Sequence, residues 1–427
     1  VSQAKSQKVV VVGGGYVGLP LAVEAGLSGF RTAVLDIDEE RVEALRMGRS
    51  YIPDVSDARL QKSGLSATRD PAVCADADVV VICVPTPLRK TRDPDVSYIL
   101  SAAEAVARQL LNDAGPPRLV ILESTTYPGF TREVLVPLLE EHSGLKAGTL
   151  ELAVAFSPER VDPGNKTFET RNTPKVVGGL TPDCCARAAA FYKRVVAAPI
   201  VEVSSCDTAE VVKLHENTFR SVNIGLANEL SMMCSKLGVD THEVINAAAS
   251  KPFGFMPFYP GPGVGGHCIG PDPLYLSWKL KSWNYRARFI ELADEINTRM
   301  PHHVVNMVHR ALNSIGRCVS GSNIAVLGVA YKANVGDTRE SPALLVIDEL
   351  LALGARLVYR DSHVPTLELP SGVRLTAETK CLPAHCAVIL AAHADTPSQG
   401  LLLEQAQVIV DARGYMHGCT GAKIYRL

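Results

Sequence analysis

The chain has 427 residues, 43 Lys and Arg against 45 Asp and Glu, with 47% hydrophobic and 21% charged residues. These proportions exclude a disordered or fibrous class, and the length carries two or three domains with ample core. No dense basic run argues for a nucleic-acid partner, and no apolar run approaches the ~18 residues needed to cross a bilayer, so no membrane partner is expected.

The amino-terminal VSQAKSQK is polar and leads straight into a strand without a signal-type apolar segment, so a cytoplasmic protein is expected. Its 11 cysteines are odd in number and form no C-x-x-C pair, which predicts reduced thiols. Cys381, His385, Cys386 and His393 lie close in sequence, but Cys386 opens an apolar strand whose side chains alternate faces, and no metal site is assigned.

Val9 to Val12 is a four-valine strand ending at Gly13-Gly14-Gly15-Tyr16-Val17-Gly18, followed by a helical pattern from Leu19 to Ser28 and a strand from Thr32 to Leu35 that ends at Asp36. A glycine fingerprint in this strand, helix and strand context predicts a dinucleotide site. Gly13 permits the turn, Gly15 admits the pyrophosphate and Gly18 lets the helix pack on the strand, while Asp36 accepts from the adenosine ribose and repels a 2′-phosphate. The expected cofactor is NAD.

Further buried strands are predicted at Ala77 to Val84 and Arg118 to Leu122, followed by VPTP and ESTTYPG. Loops at the carboxyl ends of parallel strands bind ligands, which places Thr86 and Thr125 near the cofactor or the reacting carbon, although a capping threonine explains each as simply. A strand from Leu152 to Phe156 delivers SPERVDPG, where Glu159 is either a general base or an exposed loop carboxylate.

From Cys206 to Leu237 the apolar period becomes helical, with Phe219, Val222, Leu226, Leu230 and Met233 in one stripe and Met232 and Met233 read as core. Lys213 and Asn217, four residues apart, share a neighbouring face and could line an oxyanion site. The loop GPGVGGHCIGPDP, Gly261 to Pro273, sets Cys268 in a run of glycines whose amides could close around a bound group. Asp272 lies between Pro271 and Pro273, which are expected to keep a regular helix from starting there. A helix from Ala287 to Ile315 is expected to kink or break at Pro301.

A strand from Asn323 to Val329, a helix from Pro342 to Leu353 and a strand from Arg356 to Tyr359 echo the first βαβ unit with Gly328 kept, and strands near Ala387 to Ala391 and Val408 to Val410 follow. A second doubly wound domain is predicted, with Lys332, Arg339 and Arg413 on its loops either suited to phosphates or simply solvated surface charges. The expected fold class is α/β, two Rossmann-like doubly wound domains joined by a long central helix and a helical middle domain. The boundaries are 1–203 for the dinucleotide-binding domain, 204–316 for the central helical part with the cysteine loop, and 317–427 for the second doubly wound domain, to which the resemblance described next assigns nucleotide-sugar binding.

GGGYVGLP, VPTP, ESTTYPG, SPERVDPG, AEVVKLHENTFR, GPGVGGHCIGPDP and VAYKANVGDTRESPAL together resemble the UDP-glucose/GDP-mannose dehydrogenase family over nearly the whole chain. STTYPG, KPFGFMPFYPGPG and GGHC are most similar to its UDP-N-acetylhexosamine 6-dehydrogenase branch. The resemblance implies an NAD-dependent four-electron oxidation of C6 of a nucleotide-linked hexose through a thiohemiacetal and thioester on Cys268. It implies that Lys213 and Asn217 stabilise oxyanions, Asp272 assists proton transfer, and Glu159 with Thr125 activates water. By the same resemblance the cofactor side is Gly13, Gly15, Gly18, Asp36, Arg41, Thr86, Thr125 and Arg339, the substrate side is Lys213, Asn217, Lys332 and Arg413, and the chain pairs as a homodimer through its long helix. The sequence departs from the family at Pro163, where many members have a second glutamate, and at Gly270, where a proline is common. The competing readings are a two-electron β-hydroxyacid dehydrogenase, which needs neither Cys268 nor a second doubly wound domain, and a nucleotide-sugar-binding protein without activity.

Overall fold

The computed structural model describes residues 7–110, 118–162, 165, 167–421 and 423–427. The start of the amino-terminal arm and Pro163 lie outside them. The chain forms two compact units, one from residues 1–216 with 274–285 and the other from 217–273 with 286–427.

The first unit is built on eight strands: β1 (Lys8–Val12), β2 (Arg31–Leu35), β3 (Ser66–Thr68), β4 (Val79–Ile82), β5 (Arg118–Leu122), β6 (Leu152–Phe156), β7 (Lys175–Gly179) and β8 (Ile200–Val203). Their order is β3-β2-β1-β4-β5-β6-β7-β8, parallel throughout except where β7 runs against β6. Val9, Val10 and Val11 are fully buried because β1 lies at the centre of a sheet covered on both faces, which is why its sequence shows no polar alternation. The strand order reverses between β1 and β4, and the glycine loop follows β1 at this switch point.

The second unit carries β9 (Asn323–Leu327), β10 (Arg356–Arg360), β11 (Thr366–Glu368), β12 (Arg374–Thr376), β13 (Ala384–Ile389), β14 (Ala406–Asp411) and β15 (Ile424–Arg426). Five of them form a parallel sheet in the order β10-β9-β13-β14-β15, and β11 pairs with β12 separately. The echo between the two sheets extends to single hydrogen bonds. Gly13, with φ of 96°, donates to the carbonyl of Leu35, and Gly328, with φ of 76°, donates to that of Arg360. Asp36 accepts from the backbone N–H of Gly14, and its counterpart Asp361 accepts from Val329 and Ala330. Each carboxylate closes the turn after the first strand of its own sheet.

Two expectations are corrected and one is narrowed. An α-helix does start at Pro271 and runs to Lys281, because a proline in the first turn gives up an N–H that has no helical partner anyway. Of the two outcomes expected at Pro301, the break does not occur, since the helix runs from Arg288 to Asn313 as one element. The missing bond is outweighed by burial of Met300, Val304, Val305 and Val308 against the second sheet. The long helix Cys206–Leu237 has the expected bounds. Glu210, Lys213, Asn217, Ser221, Asn228 and Ser231 are buried, whereas Phe219, Leu226 and Met233 are 43%, 59% and 44% exposed, so Met233 is not core.

Gly328→Ala tests the second switch point. An added Cβ would lie 2.1 Å from the Ala391 carbonyl oxygen at a φ that L-residues avoid, so we expect a loss of about 3 kcal/mol in urea unfolding. A loss below about 1 kcal/mol would contradict this packing.

Candidate active site

In the first unit the residues expected to hold the dinucleotide fit it. A Cβ on Gly13 would meet the Cys83 carbonyl oxygen at 2.5 Å and one on Gly18 the Gly13 carbonyl oxygen at 1.9 Å, so both positions require glycine. A Cβ on Gly15 would meet nothing within 4 Å, leaving the open backbone that a diphosphate needs. Asp36 takes the Gly14 N–H at 2.6 Å and the Asp38 N–H at 2.9 Å, with the Arg41 guanidinium 3.7 Å away. Thr86 and Thr125 are half-buried at the ends of their loops. The Thr86 carbonyl accepts from the Tyr275 hydroxyl at 3.0 Å.

Lys213 and Glu159 meet in this unit in a way the sequence does not announce. The Lys213 ammonium donates to the main-chain oxygen of Glu159 at 2.7 Å, not to its carboxylate. That carboxylate accepts from the N–H groups of Arg160 at 2.8 Å and Val161 at 2.6 Å, and from the Lys175 ammonium at 2.9 Å. Lys175 also donates to Glu123 at 3.0 Å, and Glu123 accepts from the Tyr192 hydroxyl. Burial pushes Glu123 up to about 7 against the pull of Lys175. Burial also opposes ionisation of Glu159, but the Lys175 charge and hydrogen bonds from Glu123, Lys175 and Val161 outweigh it and hold the group near 2. Glu123 is therefore the member of the pair that takes up a proton first as pH falls, and Glu159 the one that stays ionised longer.

Glu210, one turn before Lys213, accepts from Gly129 N–H at 2.6 Å, Thr131 N–H at 2.9 Å and the Thr131 hydroxyl at 2.6 Å. It ties the ESTTYPG loop to the helix. Glu123, Lys175, Tyr192 and Glu210 were missed from the sequence. Glu123 had a legible signal, a carboxylate at the carboxyl end of an apolar strand, whereas Lys175 opens a strand that the pattern did not reveal.

In the second unit the Asn217 amide donates to Asp272 at 2.6 Å, and the N–H of Asp272 donates to the carbonyl of Cys268 at 3.0 Å. Cys268 is half-buried. Its loop's glycines serve close packing. Gly261 lies against Arg413, where a Cβ would come 2.9 Å from the guanidinium, and a Cβ on Gly265 would come 2.6 Å from that of Tyr331. The amides of Gly261 and Gly266 are taken by the Asn228 side chain and the Arg339 carbonyl, so these two do not close around a ligand. Asn228 also donates to Asn297 at 2.9 Å, joining the loop to two helices.

Of the predicted cations here, Arg413 donates to the carbonyls of Leu390 at 2.8 Å and Tyr331 at 3.3 Å, and burial pulls it down to about 10. Carbonyls orient this charge without neutralising it, which suits an anion. Arg339 is exposed and pairs with Asp337 at 2.6 Å, and Lys332 is half-buried on the same loop. His393 pairs with Asp361 at 2.9 Å, and His385 accepts from the Asn323 N–H at 2.9 Å.

A dinucleotide cradle and a second doubly wound unit with a half-buried arginine describe a nucleotide-linked dehydrogenase. Family models match the chain in three consecutive stretches: the NAD binding domain of the UDP-glucose/GDP-mannose dehydrogenase family over residues 7–196, its central domain over 207–299 and its UDP binding domain over 325–418. The chain belongs to this family and is an NAD-dependent oxidoreductase. It is 36% identical over 400 residues to the UDP-N-acetyl-D-glucosamine 6-dehydrogenase of Pseudomonas aeruginosa, covering 93% of each chain. It is 35% identical over 396 residues to the UDP-N-acetyl-D-mannosamine dehydrogenase of Methanococcus maripaludis, covering 91% of this chain and 86% of that one. A solved UDP-D-ManNAc dehydrogenase from Pyrococcus horikoshii superposes with a TM-score of 0.89 at 32% identity, over 98% of this chain and 99% of that one.

The position of Asp36 predicts that NADP is used on the order of 100-fold less efficiently than NAD in kcat/KM, because two like charges would meet. Asp36→Asn keeps an acceptor for Gly14 and should narrow the ratio at least about tenfold. Equal use of both cofactors by the parent enzyme would contradict the assignment.

Proposed function

We propose that the protein oxidises the C6 hydroxyl of a UDP-N-acetylhexosamine to the carboxylate, in preference to UDP- or dTDP-glucose. The balanced reaction is R–CH2OH + 2 NAD+ + H2O giving R–COO− + 2 NADH + 3 H+. The observation that carries this reading is the Cys268 turn, where a half-buried thiol stands one helical turn before a carboxylate that is itself held by the Asn217 amide. The names of the relatives support the substrate class.

Bound NAD supplies the hydride acceptor for each oxidation. Cys268 adds its sulfur to the intermediate aldehyde carbon, so that the sugar stays attached as a thiohemiacetal and then as a thioester. Water attack on the thioester releases the thiolate, a good leaving group. Lys213 and Asn217 stabilise the developing oxyanions, and Asp272 assists proton transfer at the thiol. Glu159 serves the hydrolysis together with Thr125, as an anion. Arg413 and Lys332 receive the diphosphate, and Gly13, Gly15, Gly18, Asp36, Arg41, Thr86, Thr125 and Arg339 the cofactor. The division at 203/204 and 316/317 separates NAD-binding, central and nucleotide-sugar-binding parts.

Cys268→Ala should bind NAD and nucleotide sugar as the parent does, yet lose acid formation on the order of 1,000-fold. The parent should give two NADH per sugar without free aldehyde. Near-parental acid formation by the variant would return Cys268 to a packing role.

The protein works as a homodimer in the cytoplasm. Among the described residues no helix is long and apolar enough to cross a membrane. The dimer reading is supported by the exposed apolar stripe Phe219, Leu226 and Met233, with Phe253, Met256 and Phe289 also exposed in the same unit. Val222 and Leu230, expected in that stripe, are half-buried. Sedimentation should show a dimer that Leu226→Glu weakens at least about tenfold. A stable active parent monomer would remove the proposal.

A further inference from the structure

The Lys175 ammonium is a buried charge that the reaction scheme above does not use. It is 3% exposed and lies between two carboxylates, Glu123 at 3.0 Å and Glu159 at 2.9 Å. A lysine removed from water this completely is destabilising unless its partners need it. Both carboxylates are buried too, so the group of three is one electrostatic unit. Its other neighbours are the Tyr192 hydroxyl on helix Pro182–Val195, which donates to Glu123, and the Cys83 thiol after β4, 4.0 Å from the other Glu123 oxygen. On the far side of Glu159, the Arg160 guanidinium is spent on Glu216 at 2.7 Å and the Pro174 carbonyl at 2.8 Å.

One end of Glu159 therefore depends on Lys175, and the other end holds Lys213. With its carboxylate bound to Lys175, the side chain folds back onto the N–H groups of Arg160 and Val161, which fixes the peptide that follows. The carbonyl of that residue is the acceptor for the Lys213 ammonium. A protonated Glu159 would accept less strongly from both N–H groups, and the carbonyl would be free to turn.

We propose that Lys175 is a positioning residue for Lys213, acting through Glu159: its ammonium holds the Glu159 carboxylate, and the side chain held there fixes the carbonyl to which Lys213 is anchored. Glu123 and Tyr192 hold Lys175 in place, and burial makes Glu123 the readier of the two carboxylates to take up a proton. The part of the proposal that concerns turnover rests on the function proposed above, whereas the anchoring of Lys213 does not.

The test uses Lys175→Met, Lys175→Arg and Glu123→Gln in the full chain, each first shown to bind NAD. The direct readout is the rate at which the Lys213 amine is acylated by a small amine-reactive ester, followed by peptide mass spectrometry. Lys175→Met should raise that rate at least about fivefold, Lys175→Arg should restore most of the protection, and Glu123→Gln should raise it less than Lys175→Met. The second readout is kcat against pH. In the parent Glu159 stays ionised far below neutrality, so it adds no acid limb between pH 6 and 8. Without Lys175 its folded value rises through burial, so activity should fall as pH drops through that range, with KM changing much less than kcat.

A Lys175→Met protein that binds NAD, labels at the parent rate and keeps the parent pH profile overturns the proposal. So does a Glu123→Gln protein that labels as fast as Lys175→Met, since Lys175 would then act through the wrong carboxylate. If the parent makes no NADH from any nucleotide sugar, the proposed function fails, and the labelling rates still decide the anchoring of Lys213.

Discussion

The 32-residue helix Cys206–Leu237 turns polar residues inward, and four of them, Glu210, Lys213, Asn217 and Asn228, fasten other segments of the chain. Glu210 takes the loop after β5 by Gly129 and Thr131, and Lys213 takes the carbonyl of Glu159. Farther along, Asn217 takes Asp272, and Asn228 takes Gly261 at the start of the cysteine loop. In each case the partner belongs to the same compact unit as the helix residue. A buried polar group that loses its partner costs about 1–3 kcal/mol, so these pairings act as a specification: the loops must be where they are for the helix face to be buried at all.

The same constraint explains the outward face. With much of its buried side given to hydrogen bonds, the helix leaves part of its apolar side for another surface, and Phe219, Leu226 and Met233 are exposed accordingly. The two doubly wound sheets are conventional by comparison. Each uses one positive-φ glycine after its first strand and one aspartate after its second to close the switch-point turn. In the first sheet that geometry leaves Gly15 bare for a diphosphate, whereas in the second the half-buried Arg413 lies beside the cysteine loop.

The strands and the long helix were legible in the sequence because burial on both faces and a sustained helical period leave clear patterns. Cys206 to Leu237 was read to the residue. What could not be read was which polar residues of that helix are buried, since Glu210, Lys213, Asn217 and Asn228 find their partners on loops distant in sequence. Pro271 misled for a related reason: proline excludes a helix interior but suits a first turn, and sequence alone does not say which it occupies. The glycines around Cys268 were visible, but their use to admit Arg413 and Tyr331 depends on chain segments far away in sequence. Lys175 and Glu123, 52 residues apart, meet only because β5, β6 and β7 are neighbours in the sheet. No local pattern marks such a pair.

The central claim of this account is that the sugar is held covalently by Cys268 between its two oxidations. The most direct measurement is to quench the enzyme with acid during turnover of UDP-N-acetylglucosamine and NAD, digest it, and weigh the peptide that contains Cys268. The account predicts a fraction of that peptide carrying the mass of the sugar acyl group, lost on treatment with hydroxylamine and absent when NAD is omitted. Two NADH per sugar with an unmodified Cys268 peptide at every quench time, or an adduct on a different cysteine, would contradict it.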